Sequence, residues 1–344
     1  MILDFVLPIL DCNVKSIKKV VVVSLLAIFT LAYFYPAEAQ QPAKIQRIGI
    51  LLPNPPSLSP MLLEAFRQGL RENGYVEGQN IEIEYRFGDG KSDRYPDLAA
   101  ELVRRKVDVI VTASTRPTKA VKNATSTIPI VMAAVADPVG TGLIASLAHP
   151  GGNVTGLSMR SPDLSGKRLQ LLKEVVPRVR RVGILWNPAN EGNTVSWQDT
   201  QTVAQRIGLK LQSIEVRTPA DFDRGFEALT KIPADAFALL RDPLVDADLT
   251  DHLVKFAAKN RLPAIYEAKE IVLAGGLMSY APNHAELYRR AAYFVHRILA
   301  GSRPAELPVE RPMRAEFVIN LKAAKEIGLT IPADVLQRAD NVIR

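Results

Sequence analysis

The chain has almost no cysteine: one residue, Cys12, in 344. A disulfide framework within a monomer and a cysteine-built metal site are therefore excluded, and an oxidising compartment poses no thiol problem. Histidine is scarce too. His149, His252, His284 and His296 form no H-x-x-x-H or H-E-x-x-H pair, so each is read as a surface or helix residue rather than a metal ligand. No G-x-G-x-x-G opens a strand–helix unit, and Gly140-Thr141-Gly142 is only a fragment of that pattern. Neither a G-x-x-x-x-G-K-[ST] loop nor a G-x-S-x-G nucleophile elbow occurs. Dinucleotide binding, triphosphate binding and elbow-type serine hydrolysis thus lose their sequence signatures. No cofactor and no metal are expected. Aspartate and glutamate are plentiful, so a carboxylate pair in a cleft stays open.

What is present is a globular composition, 47% hydrophobic and 23% charged. The net charge is +7, but the basic residues are scattered among acids, with Arg178-Val179-Arg180-Arg181 as the longest cluster. This reads as a solvated surface and not as a nucleic-acid footprint. The length suits two domains of roughly 130–150 residues each.

The first 39 residues read as a secretory signal. Lys15, Lys18 and Lys19 precede an uncharged stretch from Val20 to Tyr35, Pro36 breaks it, and Ala37-Glu38-Ala39 supplies a small-residue cleavage site before Gln40. The apolar stretch falls slightly short of the about 20 residues of a membrane span, with an uncleaved anchor as the alternative to a signal cleaved after Ala39. Residues 1–13, with Asp4 and Asp11, fit poorly upstream of a basic n-region, which suggests translation from Val14. The expected location is periplasmic.

From Lys44 onward, short apolar runs alternate with amphipathic stretches. Arg47–Leu52, Val107–Thr112 and Ile128–Met132 read as buried strands, and Ile81–Tyr85 as a half-exposed one. Met61, Leu62, Phe66 and Leu70 recur at helical spacing, and Ser92 is a candidate N-cap for the helix carrying Leu98 and Leu102. After Gly151-Gly152-Asn153 a second cycle begins, with Ser161-Pro162 at a helix start and strands at Val182–Trp186, Leu209–Ile214, Ala236–Leu240 and Ala264–Tyr266. This alternation predicts an α/β fold: two doubly wound parallel-sheet lobes joined by a multi-strand hinge. Lobe 1 is expected to hold residues 40–153 and about 281–312, lobe 2 residues 154–280 and about 313–344.

In open α/β sheets ligands bind beyond the carboxyl ends of strands, where helix N-termini offer free N–H groups. The loops in those places supply the candidate contacts: Asn54, Ser57, Ser114, Thr115, Asp137, Thr141, Asn187, Asn190, Asp242, Tyr266 and Glu267. Asp137 and Asp242 either grip a ligand amino group or cap the helices that follow. Arg116 either pairs with a carboxylate or lies on the surface. Trp186 and Tyr266 either line an apolar pocket or pack in the core.

Several phrases, in order, carry a resemblance to a known family: Thr125-Ser126-Thr127-Ile128-Pro129-Ile130-Val131, Ala136-Asp137-Pro138-Val139, Ser146-Leu147-Ala148-His149-Pro150-Gly151-Gly152-Asn153-Val154-Thr155-Gly156, Gly166-Lys167-Arg168, Gly275-Gly276-Leu277-Met278-Ser279-Tyr280, Val318-Ile319-Asn320-Leu321-Lys322 and Gly328-Leu329-Thr330-Ile331-Pro332. Over nearly all of residues 45–344 the chain resembles ABC-transporter substrate-binding proteins of the tryptophan/tyrosine group, with a type I periplasmic binding fold. The resemblance implies an exported, monomeric solute receptor without catalytic residues or cofactor. Its partners would be a small molecule, with aromatic amino acids as the leading class, and a membrane permease. One departure stands out: Thr112-Ala113-Ser114-Thr115 occupies a place where such proteins often carry a Gly-rich turn. A sensory module of the same fold, signalling to a membrane partner, is the alternative, and an exported carboxylate enzyme is a third. A repressor of related core would need a helix-turn-helix where the signal lies.

Overall fold

The computed structural model describes residues 45–344 apart from Ser59, Arg160, Ser161, Asp246 and Met313. The expected signal and the Ser161 cap lie outside the described residues. The chain opens with β1 (Gln46–Leu52), whose aliphatic run is buried on both faces from Ile48 onward. Ile48, Ile50 and Leu52 face one core and Leu51 the other, the two-residue period of a central parallel strand. Around it lie β2 (Ile81–Phe87), β3 (Val109–Ala113), β4 (Ile130–Val135) and β5 (Val154–Ser158), in the order β2-β1-β3-β4-β5, with every pairing parallel. Between these strands run α1 (Pro60–Glu72), α2 (Tyr95–Arg104) and α3 (Thr115–Ala124).

The second sheet has the order β12-β11-β10-β9-β8-β6-β7. Its strands are β6 (Arg181–Trp186), β7 (Lys210–Glu215), β8 (Ala236–Leu239), β9 (Ala264–Tyr266), β10 (Met278–Pro282), β11 (Ala315–Asn320) and β12 (Asn341–Ile343). Helices α4 (Pro162–Val175), α5 (Glu191–Ile207), α6 (Asp221–Lys231), α7 (Ala247–Lys259) and α8 (Lys269–Leu273) connect them as far as β10. One apolar core lies on each face of this sheet. The sheet is parallel except where β11 runs antiparallel to β10, because β11 arrives from the other lobe rather than through a crossover helix.

That excursion is α9 (His284–Leu299), whose Leu287, Ala291, Ala292 and Val295 join the core of the first sheet beside Phe66 and Leu70 of α1. The two helices approach closely at Gly69, where an added Cβ would lie 2.3 Å from the Arg289 carbonyl oxygen and 2.8 Å from the Ala292 Cβ. After β11 come α10 (Leu321–Glu326), opened by the Asn320 side chain accepting from the N–H groups of Lys322 and Ala323, and α11 (Ala333–Gln337). Sequence periodicity did not reveal α11 or β12, which are too short to show a pattern.

The chain crosses between the lobes three times: between β5 and α4, at Asn283 between β10 and α9, and between Glu310 and β11. Glu310 pairs with the end of β5, its N–H donating to the Gly156 carbonyl at 3.0 Å and its carbonyl accepting from the Ser158 N–H at 2.9 Å. The expected boundary at residue 153 falls too early, since β5 belongs to the first sheet. Val154 and Leu157 are buried in that lobe's cores. Gly156, at φ +124°, lies so close to β4 that a Cβ would sit 2.3 Å from the Met132 carbonyl oxygen. The glycine pair before it is a turn into an edge strand, not a break between domains. Likewise β10 keeps Ala281 and Pro282 in the second sheet. Ser92 does not cap a helix with its side chain: it begins a 3-10 turn, Ser92–Arg94, that leads into α2.

Candidate functional site

The carboxyl ends of the strands in the two sheets face a common cavity of about 440 Å³. From the first lobe, Asn54 and Ser57 after β1, Met61 on α1, and Ser114 and Thr115 after β3 line it. The second lobe contributes Asn190 and Asn193 at the start of α5, Arg241 and Asp242 after β8, and Glu267 and Ile271 after β9. His284 and Tyr288, on the first turns of the returning helix α9, close the space between them. Its walls are largely apolar: Leu52, Met61, Leu239, Val245 and Ile271 are among the lining residues. Met61, whose spacing suggests a core position, is 55% exposed and serves this wall.

Ser114 holds φ 66°, ψ 159° at the junction of β3 and α3, a region that glycine occupies and that costs other residues about 1–3 kcal/mol. At the place where similar proteins often carry a Gly-rich turn, this chain thus holds a serine in a glycine-favouring conformation. The Ser114 N–H donates to the Ala134 carbonyl at 2.8 Å, and its carbonyl accepts from Thr118 Oγ1 at 2.7 Å. The N-terminus of α3, with its partial positive charge, thereby opens at the cavity.

Asp242 is a hub. Its carboxylate accepts from Nδ2 of Asn187 at 3.3 Å, Asn190 at 2.8 Å and Asn193 at 3.1 Å, and from the Leu244 N–H at 3.0 Å. Burial raises its pKa, and these bonds oppose the rise. About four acceptor positions are all a carboxylate has, so Asp242 ties the loop after β8 to the loop after β6 with no position left for an amino group. Asn190 also caps α5, accepting from the Gly192 N–H at 3.1 Å. Glu267 is engaged as well: Arg168, itself held to the Tyr280 carbonyl at 2.8 Å, pairs with it, and the Arg241 N–H donates to it at 3.2 Å.

The other candidates divide. Asp137 lines a smaller adjoining recess with Arg168, Arg241 and His284, and accepts from the Gly140 N–H at 2.9 Å as a turn cap. Asn187 stands behind Asp242 in a third recess beside Tyr95 and Arg116. Thr141 bonds back to the Asp137 carbonyl at 2.5 Å and lines none of these recesses. Tyr266 is corrected to a core residue. It is fully buried, packs edge-on against Phe237 at 6.0 Å, and lies against Gly276, because its short strand is covered on both faces. Trp186 is likewise in the core, stacked on Trp197 at 5.4 Å with Nε1 donating to Ser213.

Sequence reasoning missed Arg241, Asn193, His284 and Tyr288. His284 is the first residue of α9 yet only 2% exposed. Burial, then the charges of Arg241, Lys269 and Arg168, hold its pKa well below the ordinary histidine range, so the ring is neutral. Burial pushes the Tyr288 hydroxyl up to about 12. No local signal marks either residue, since both depend on where α9 docks. Arg241 did sit in a flagged loop, next to Asp242.

Across the cleft the lobes touch. Arg116 donates to the Ala189 carbonyl, so it is a bridging residue rather than a free surface one. Lys119 pairs with Glu191 at 2.6 Å. At Gly192 an added Cβ would lie 2.7 Å from the Ala136 Cβ and 3.2 Å from Thr115 Oγ1, both in the opposite lobe.

Two α/β lobes joined by three chain crossings, with a cavity lined from both, have the architecture of a two-lobed binding protein. Residues 56–343 match the family of ABC transporter substrate binding proteins, and the chain belongs to that family. A tyrosine-binding protein of Clostridioides difficile (strain R20291) is 28% identical over 273 residues, covering 77% of this chain and 76% of the relative. An ABC domain from Streptococcus pneumonia, solved in complex with L-Trp, superposes with a TM-score of 0.81 at 28% identity, over 87% of this chain and 99% of that one. The ligand-free, open structure of a substrate-binding protein with adhesive properties from Clostridium difficile superposes with a TM-score of 0.65 at 27% identity, over 87% and 99%. Among the described residues no helix is long and apolar enough to cross a membrane, and no cluster of three or more histidine, cysteine or acidic side chains is placed to hold a metal ion.

Proposed function

We propose that the protein is the exported receptor of an ABC importer, closing two lobes over a small organic solute and presenting it to a membrane permease. The observation that carries this reading is the cavity of about 440 Å³, lined from both lobes and sealed where Gly192 abuts Ala136. That volume suits an amino-acid-sized or somewhat larger molecule. The better superposition on the ligand-bound relative than on the open one, at nearly equal identity, supports a closed arrangement of the lobes. Aromatic amino acids are the first class to test, because the tyrosine-binding and tryptophan-bound relatives point there. The leader before residue 40 is the export signal in this reading, and residues 45–158 and 284–310 form one moving lobe against residues 162–282 and 315–344.

The test is a thermal-shift panel of amino acids, small carboxylates, sugars and amines on the purified protein, before and after denaturation and refolding. A ligand at about 1,000 times its Kd adds roughly 4 kcal/mol, on the order of ten degrees for a protein of this size. A compound that shifts the transition and is recovered unchanged supports a receptor. Turnover of the compound, or no shift with any compound after refolding, rejects it.

A further inference from the structure

One cationic side chain on the cavity wall has no side-chain partner among the described residues. Asp242 is saturated by three asparagine amides and a backbone N–H. Glu267 is neutralised by Arg168, and Lys269 by Glu316 at 3.0 Å. Glu270 also lines the cavity but is solvent-exposed on α8. Arg241 remains. It is the one arginine or lysine lining the cavity among the described residues, and it is half-buried. Among the described residues its guanidinium has no hydrogen-bond or ion-pair partner; only its backbone N–H is engaged, by Glu267. Five donors held in a fixed plane beside an apolar wall and left unused form a fork that matches a carboxylate.

His284 stands beside it, neutral and buried, on the wall shared by the cavity and the smaller recess. Among the described residues no hydrogen-bond partner holds its ring, and a neutral imidazole keeps one N–H to donate. The charged groups that bear on the ring are Arg241, Lys269 and Arg168, the last two already paired. Of these three cations, Arg241 alone has no side-chain partner among the described residues.

The geometry points to Arg241 as the residue that reads an anionic group on the solute, which commits the cavity to compounds joining one carboxylate to an apolar body. This rests on the cavity being the solute site. The apolar wall residues, Leu52, Met61, Leu239, Val245 and Ile271 among them, select body size rather than charge.

The experiment pairs each carboxylic acid with its primary amide, L-tyrosine with L-tyrosinamide and 3-(4-hydroxyphenyl)propionate with its amide among them, alongside tyramine and neutral sugars. Binding is measured by calorimetry on the refolded wild type, Arg241→Gln and Arg241→Lys. Acids are expected to bind and their amides not to. Arg241→Gln is expected to lower acid affinity by about tenfold to a hundredfold, with Arg241→Lys between the two. Since the guanidinium bonds to no other described residue, the ligand-free melting temperature of Arg241→Gln should stay level or rise, whereas a structural arginine would lower it. Binding confined to amides, amines or sugars overturns the assignment and leaves the receptor standing, as does an acid that binds Arg241→Gln undiminished. No binding by any compound overturns the receptor, and the assignment falls with it.

Discussion

Gly192 offers the sharpest separation of closure from folding. It lies in the first turn of α5, in the second lobe, and faces Ala136 and Thr115 of the first. A methyl group there would sit 2.7 Å from the Ala136 Cβ, while carbon atoms rest about 3.5–4.0 Å apart, so the lobes must part by about 1 Å at this point. Overpacking of this kind costs about 1–3 kcal/mol, and the cost falls on the closed form alone. The Gly192→Ala variant should therefore bind its ligand roughly fivefold to 150-fold more weakly. In the open, ligand-free form that the proposed function requires, the same methyl group would meet no opposing lobe, and alanine favours helix over glycine by up to about 1 kcal/mol. Affinity and ligand-free stability should thus move in opposite directions. Calorimetric titration and urea unfolding measure the two, and solution scattering reports lobe separation. Gly166→Ala is the control, because its added Cβ meets Val203 within one lobe at an ordinary 3.4 Å. Unchanged affinity in Gly192→Ala, or a loss of ligand-free stability matching the loss of binding, would refute the reasoning.

Three further outcomes are expected. Ser114→Gly relieves a left-handed backbone at φ 66° and should stabilise the protein by about 1 kcal/mol in urea unfolding, the 1–3 kcal/mol of strain being partly offset by the looser unfolded chain. Gly69→Ala drives a methyl group against the Arg289 carbonyl and should destabilise by about 1–3 kcal/mol, read as a lower denaturant midpoint. His284 has a folded pKa well below its ordinary value, so below about pH 6.5 the unfolded chain takes up a proton that the native state refuses. Stability should be level in this group's contribution above that pH and fall as the pH drops toward the folded value, by at most about 1.4 kcal/mol per pH unit. Comparing wild type with His284→Gln at pH 7.5, 6.5 and 5.5 isolates that slope.

The local rules of the chain settle its architecture. Alternating apolar runs such as Arg47–Leu52 and Val182–Trp186, separated by amphipathic stretches, already specify strands buried between helices. The loops that end those strands hold Asn54, Ser57, Ser114, Thr115, Asn190, Asp242 and Glu267, all of which the fold brings to one cavity. Their convergence follows from topology, because every parallel strand in a sheet presents its carboxyl end to the same side.

What each residue does there was decided by tertiary contacts between distant segments. Asp242 and the asparagines that saturate it are separated by 49–55 positions, and the residues facing Gly192 lie far before it in the chain and in the other lobe. Tyr266 and Glu267 are neighbours at one strand end, yet one is in the core and the other lines the cavity. His284 and Tyr288 reach the site only because α9 leaves the second sheet to dock on the first. Backbone preference and hydrophobic period act over a turn of helix or a few residues of strand, so they determine elements. Burial, charge compensation and the freedom of a guanidinium depend on which elements meet, and only the folded chain brings them together.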